Sequence, residues 1–291
     1  METARCKAFL AAAEEGSLTA AGDRLGYTPS GVSQLITALE DDLGLKLLER
    51  TKKGVGLTKA GEEILPVIRH FLSDEDSLYE KASDIKGLSI GNITVAAFPS
   101  IATFWLPELI SKFQKEYPNI DIRVMEGITQ EINEWIKDGT ADMAILSMTD
   151  QEDFDWYPLQ DDRMVAVISK EHPLAYKESF PMERLSEEDF IMPALGHDLD
   201  VEALFVTHEI KPKIAFTTME NPVTLSMIKS GLGISVMNEL CTGLWKDQLK
   251  IMPLDPPCFI TFGVAVNEHR HLSPASQKFL EYVVKKFTKS K

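Results

Sequence analysis

Near residue 90 the hydrophobic period of this chain changes, and that change argues against one continuous core. Ahead of it, apolar residues recur every three or four positions through three short segments and one long one. Beyond it, short alternating apolar runs interleave with helical ones. Helices followed by strand-helix alternation call for separate folding units, and 291 residues suit two or three units of roughly 100 to 150 residues each.

Cys6, Phe9, Leu10 and Ala13 fall at i, i+3, i+4 and i+7, the spacing of one buried helix face, and Gly16 closes the pattern. Ser17 is a good N-cap for a second short helix with Leu18, Ala21 and Leu25 on its stripe, and Ala20 and Ala21 are small enough for another helix to come close. Gly26 supplies a turn. Thr28 caps a third helix, with Pro29 at the first position, where its missing N–H does no harm. This third helix has two unlike faces: Val32, Leu35, Ile36 and Leu39 keep core spacing, while Ser30, Ser33, Gln34 and Thr37 offer short hydrogen-bonding groups and no charge. An ordinary solvated face, the plainer alternative, usually carries Lys and Glu. A helix that reads base edges in a major groove needs compact donors and acceptors, with Gln suited to adenine. The pattern predicts a helix-turn-helix that contacts DNA through Ser17, Thr28, Pro29, Ser30, Ser33, Gln34 and Thr37.

The stretch KLLERTKKGVGLT that follows Gly44 reads as a hairpin with its turn at Lys52 to Gly54 and with Arg50, Lys52 and Lys53 at the tip. Such a wing lays cations along phosphates or a minor groove, positioning the third helix without specifying much sequence; a solvated basic turn is the alternative. A net charge of −15 looks wrong for a phosphate binder. Its distribution matters more: residues 1 to 60 carry eight basic and eight acidic side chains, and residues 46 to 59 hold five basic against one acidic. The excess acid lies mostly beyond residue 60.

Thr58 can cap a long helix whose apolar positions, Ile64, Val67, Ile68, Phe71, Leu78, Ala82 and Ile85, follow a near-3.5 repeat broken by Asp74 to Asp76. A lone helix cannot bury that seam. The same helix of a second subunit would bury it and set two reading heads on one duplex; packing on its own chain is the other option. Pro66 predicts a bend near the start, and Gly87 and Gly91 mark the exit.

From residue 92, strands at Ile93 and Val95, at Ile120 to Val124 and at 143 to 146 alternate with helices over Leu106 to Phe113 and Ile132 to Ile136, which implies parallel pairing with right-handed crossovers. A second lobe follows Asp161: strands at Met164 to Ser169, Ile214 to Phe216 and Gly233 to Met237, with helices near Val201 to His208 and Pro222 to Lys229. A last strand, Ile260 to Val266, and a helix from Ser273 to about Phe287 return the chain to the first lobe, with crossings expected near residues 160 and 266. Two lobes joined twice make a cleft, and open sheets bind ligands at the carboxyl ends of their strands. Ser100 and Thr129 sit where helices begin, a place for an anion or simply an N-cap. The loops bordering the cleft contain no Arg or Lys, which points to a ligand that is not strongly anionic, or to one held through helix ends.

FLAAAEEGSLTAAGDRL, followed by TPSGVSQLITALEDDLGLKLLERTKKGVGLTKAGE, resembles the DNA-binding module of LysR-type transcriptional regulators over residues 3 to 64. DGTADMAI, HPLA at 172 to 175, IKSGLGISVMNEL and LSPASQKFLEYV extend the resemblance over nearly the whole chain. Many members place Gln-Pro where this chain has Pro29-Ser30, so a Gln contact at position 29 is missing and operator preference does not carry over. The resemblance implies an α/β protein: an all-α winged helix-turn-helix (1–58), a linker or dimerisation helix (59–88), and a two-lobed, periplasmic-binding-protein-like effector domain (89–291). Lobe I is expected over 89–161 and 267–291, and lobe II over 162–266. Carried over by position, the effector contacts are Ser100, Ile101, Thr129, Ser147 and Met148 on lobe I, with Leu195, Gly196, Thr218, Met219 and Met237 on lobe II. The implied partners are double-stranded DNA, a small-molecule effector, a homodimer or homotetramer built on the linker helix, and RNA polymerase if the protein activates.

Other classes find little support. There is no GxSxG, Walker or HExxH motif, and Gly231-Leu-Gly233 lacks the third glycine of a dinucleotide loop, so neither catalysis nor a cofactor is expected. Cys6, Cys241 and Cys258 form no CxxC pair, and His269 and His271 lack ligand partners nearby, so no metal is expected. No run reaches the roughly 18 apolar residues of a membrane span and the start lacks a signal peptide's features, which together with the cysteines points to the cytoplasm. A solute-binding protein with the same two-lobed fold is the rival reading.

Overall fold

The computed structural model describes residues 2–51, 54–147, 154–267 and 272–288. Lys52, Lys53, Met148, His269 and His271 lie outside the described residues, and so does the side chain of Arg50.

Three helices open the chain: α1 (Thr3–Glu15), α2 (Leu18–Leu25) and α3 (Pro29–Leu43). Gly16, Gly26 and Gly44 end them in the left-handed conformation, and Ser17 and Thr28 cap the next helix through Ala20 N and Gly31 N. Their core is Cys6, Ala8, Phe9, Ala11, Ala12, Ala21, Val32, Ile36 and Leu39, so α1 is buried over a wider arc than its large residues alone predict. Gly22 is the tightest point of the helix-turn-helix, because a Cβ there would stand 2.6 Å from the carbonyl oxygen of Tyr27. A side chain could enter only by moving backbone.

The hairpin β1 (Leu48–Thr51) and β2 (Gly54–Leu57) follows, paired from Leu48–Leu57 to Thr51–Gly54. Val55 N donates to Gly16 O at 2.8 Å, which docks the hairpin on the α1–α2 turn. The linker helix α4 (Lys59–Ile85) begins at Thr58, whose hydroxyl accepts from Gly61 N, and runs through Pro66.

Beyond it, β3 (Ile90–Ala97), α5 (Pro99–Phe104), α6 (Leu106–Glu116), β4 (Asn119–Glu126), α7 (Thr129–Lys137) and β5 (Met143–Ser147) build lobe I, with β3 parallel to both β4 and β5. Two long antiparallel strands, β6 (Phe154–Ile168) and β11 (Lys250–Asn267), then run through both lobes. Between them come β7 (Phe180–Pro181), β8 (Asp189–Met192), α8 (Leu199–Thr207), β9 (Lys213–Thr217), α9 (Asn221–Lys229) and β10 (Ser235–Asn238), and α10 (Pro274–Thr288) closes the chain on lobe I. The main sheet is ordered β10-β6-β11-β5-β3-β4. Lobe I packs α6 and α10 on one face around Phe113 and Phe279, and α7 on the other around Ile132 and Ile136.

Three details depart from the sequence expectation. The strand expected at 164–169 begins ten residues earlier, at Phe154, and the one expected at 260–266 begins at Lys250. The second crossing also falls before residue 266: from Phe262 onward β11 already pairs with β5 of lobe I, which moves that lobe's return segment forward. Alternation continues unbroken through Ile260, Phe262, Val264 and Val266, so the pattern carries no mark of the change of lobe. Finally, β8 escaped notice, because three consecutive buried residues, Phe190, Ile191 and Met192, show no alternation.

Candidate nucleic-acid interface and ligand cleft

The third helix presents Thr28, Pro29, Ser30, Gln34 and Thr37 to solvent and Ser33 at half-exposure, while Val32, Ile36 and Leu39 are buried beneath. Thr28 Oγ1 and Ser30 Oγ lie 3.1 Å apart, a local bond at the capped end. Ser17 is half-buried and occupied in capping α2. Several cations of the head are tied to acids: Arg5 to Asp42 at 2.6 Å, Arg24 to Glu14 at 2.7 Å, and Lys7 to Glu75 at 2.8 Å.

Glu40 locks the reading helix to the hairpin. Its buried carboxylate accepts from Leu47 N at 2.9 Å, from Leu48 N at 3.2 Å and from Lys46 Nζ at 2.5 Å. Burial alone would push its pKa up, but the Lys46 bond and the two backbone N–H groups outweigh that and hold it below the ordinary value. A lowered folded-state pKa stabilises fully above the unfolded value and is lost as pH falls through the folded one. Glu40→Gln should therefore cost about 1–2 kcal/mol at pH 7. The gap from the parent in urea melts should narrow by pH 4.

The linker helix connects both ends of the molecule. Ile68 and Leu72 turn into the reading head, and Glu80, buried, accepts from Ala275 N at 3.1 Å at the start of α10. Ile68 thus leaves the expected intersubunit seam. Val67, Phe71, Leu78 and Ile85 point away, at 61, 38, 69 and 80% exposure. Arg69 reaches Asp138 at the end of α7 at 2.5 Å and Glu14 of α1 at 3.9 Å, linking lobe I to the head within one subunit.

Between the lobes lies a cleft at the carboxyl ends of the strands. Ser100 and Thr129 border it from lobe I, and Met219 and Met237 from lobe II. Other positions expected there stand elsewhere. Ile101 is wholly buried in the lobe I core, and Thr218 is buried with its hydroxyl on Thr224. Leu195 and Gly196 lie off the cleft wall, since Ala194, Leu195 and Gly196 all take positive φ and swing the loop outward, leaving Pro193, Ala194 and His197 beside the cavity. Ser147 is buried and donates at 2.5 Å to Asp200 across the lobes.

Sequence reasoning missed the polar groups of the lobe II wall: Asp198, Asp200, Asn221, Asn238 and Cys241. Asp198 is recognisable in hindsight as the N-cap of α8, accepting from Val201 N at 3.2 Å. Burial pushes the Asp200 carboxyl up to about 6, with the Ser147 bond opposing and Asp198 adding to the rise. Cys241 sits at the cleft floor, donating to Asn238 Oδ1 at 2.9 Å and accepting from Asn221 Nδ2 at 3.2 Å. Burial pushes its thiol up to about 12, which disfavours thiolate chemistry.

Residues 4–62 match the family model described as "Bacterial regulatory helix-turn-helix protein, lysR family", and residues 86–288 match the "LysR substrate binding domain". An uncharacterised HTH-type transcriptional regulator of Bacillus subtilis, YvbU, is 30% identical over 284 residues, covering 97% of each chain. A full-length OxyR variant from Pseudomonas aeruginosa shares the fold with a TM-score of 0.79 at 23% identity, over 99% of this chain and 94% of that one. The effector binding domain of QuiR, in complex with shikimate, superposes with a TM-score of 0.64 at 25% identity, over 69% of this chain and 99% of that one.

Proposed function

The chain belongs to the LysR family of transcriptional regulators, and on that premise we propose how its parts divide the work. A cytoplasmic dimer reads duplex DNA with α3, the cations Arg50, Lys52 and Lys53 hold phosphates, and a small molecule binds between the lobes. The observation that carries this reading is the uncharged polar face of α3: Ser30, Gln34 and Thr37 are exposed on a helix fixed from behind by Val32, Ile36, Leu39 and Glu40. A protein that only bound solutes would have no use for it.

Signal can travel along α7. The helix starts at the cleft with Thr129 and ends beside Asp138, which holds Arg69 of the linker. A ligand that changes lobe closure displaces lobe I against α4 and so resets the spacing of the two heads. RNA polymerase is a partner if the regulator activates.

Mobility-shift titration against duplex from the promoter region upstream of its own coding sequence tests the DNA half of the reading. Affinity should fall linearly in log–log form as salt rises, because each neutralised phosphate releases counterion. No shift of any promoter duplex at 50 mM salt would refute it.

A further inference from the structure

The cleft that the proposed function assigns to the effector has an unusual charge balance. Among the described residues, no Lys or Arg lines it, whereas Asp198 and Asp200 stand half-buried in its wall and Glu220 at its rim. Helix N-termini converge here and would ordinarily favour an anion. At two of them, α7 and α8, the chain's own carboxylates already stand beside the first turn. Glu131 Oε2 accepts from Ile128 N at 3.0 Å, and Asp198 accepts from Val201 N at 3.2 Å. Beside Asp198 stands Asp200, whose carboxylate accepts from the Ser147 hydroxyl, in a wall that also includes the apolar Met164 and Met237.

We propose that the effector is a small molecule carrying a protonated amine or guanidinium on an apolar body, with its cation on Asp200 and Asp198 and its body against Phe98, Met164, Met219 and Met237. This inference rests on the cleft being the effector site. Two neighbouring carboxylates in a partly dry wall repel each other and an incoming anion alike; a cation relieves both and is bound more strongly there than in water. It also competes with Ser147 for Asp200, so the hydrogen bond by which Ser147 joins the lobes is exchanged when ligand binds.

Thermal-shift and calorimetric titration of the full-length protein at pH 7.5 provides the test, with benzylamine, phenethylamine, putrescine and agmatine as the cationic arm. Shikimate, benzoate and inorganic phosphate form the anionic arm. At least one cationic probe should raise the melting temperature by about 5–10 °C at one hundred times its dissociation constant. Asp200→Asn, near-isosteric and free to keep the Ser147 contact, should weaken that probe at least tenfold without lowering the melting temperature of the ligand-free protein. An anionic probe that binds and loses affinity in Asp200→Asn or Met237→Ala overturns the ligand chemistry while leaving the cleft as the effector site. A cationic probe that binds Asp200→Asn and Met237→Ala as tightly as the parent overturns the site itself. If no cationic probe raises the melting temperature, the proposal fails.

Discussion

Leu78→Glu is expected to split the regulator into monomers and to lower affinity for a two-half-site operator by about 100-fold or more, the scale on which tethering two reading heads multiplies binding. Leu78 is 69% exposed in the isolated chain, so a charge there disturbs nothing within the subunit, and secondary structure and melting of the monomer should be preserved. In a dimer paired along α4 the same position falls on the seam with Phe71 and Ile85, at heptad spacing. Fully burying each such side chain is worth roughly 1.5–3 kcal/mol, and a carboxylate forced into that seam costs more than it replaces. Sedimentation velocity and mobility shift on the same preparation decide the matter. A variant that stays dimeric and binds as before would mean that some other surface pairs the subunits.

Gln34→Ala is expected to lose about 10- to 100-fold in affinity for the operator and less than about twofold for random duplex, since a bidentate side chain to base contact is worth roughly 1–3 kcal/mol of discrimination. The contrast between the two duplexes carries the inference. Gln34 is exposed, and Ala is a strong helix former, so the fold of α3 should be preserved. A parallel loss on both duplexes would make Gln34 a backbone contact or an indirect one.

The two faces of α3 were legible because a helix repeats every 3.6 residues, and the chemistry of each face is written at fixed offsets: Val32, Ile36 and Leu39 beneath, Ser30, Gln34 and Thr37 above. The glycines that end the first two helices and the caps Ser17 and Thr28 that begin the second and third were equally plain, since each serves a backbone need within a few residues of itself. The cleft was legible only in outline. That ligand-binding loops follow strand ends is a topological rule; of the positions carried over from the resemblance, Ser100, Thr129, Met219 and Met237 border the cavity. Leu195 and Gly196 do not line it, because three positive φ angles in succession turn the loop away.

What the amino-acid order determined by itself is local: periodicity, capping and turn chemistry are satisfied between neighbours, so the reading head, the linker helix and the alternation of the lobes follow from it. Tertiary structure alone decided what depends on distant partners. It set Ile68 against the reading head while leaving Leu78 uncovered, joined Arg69 to an aspartate 69 positions away, and brought Ser147 to Asp200 across 53. The physical reason is that burial and field are sums over everything packed around a group. An aspartate in a sequence is only an acid, and whether it caps a helix or bonds across two lobes depends on neighbours that the chain supplies from elsewhere.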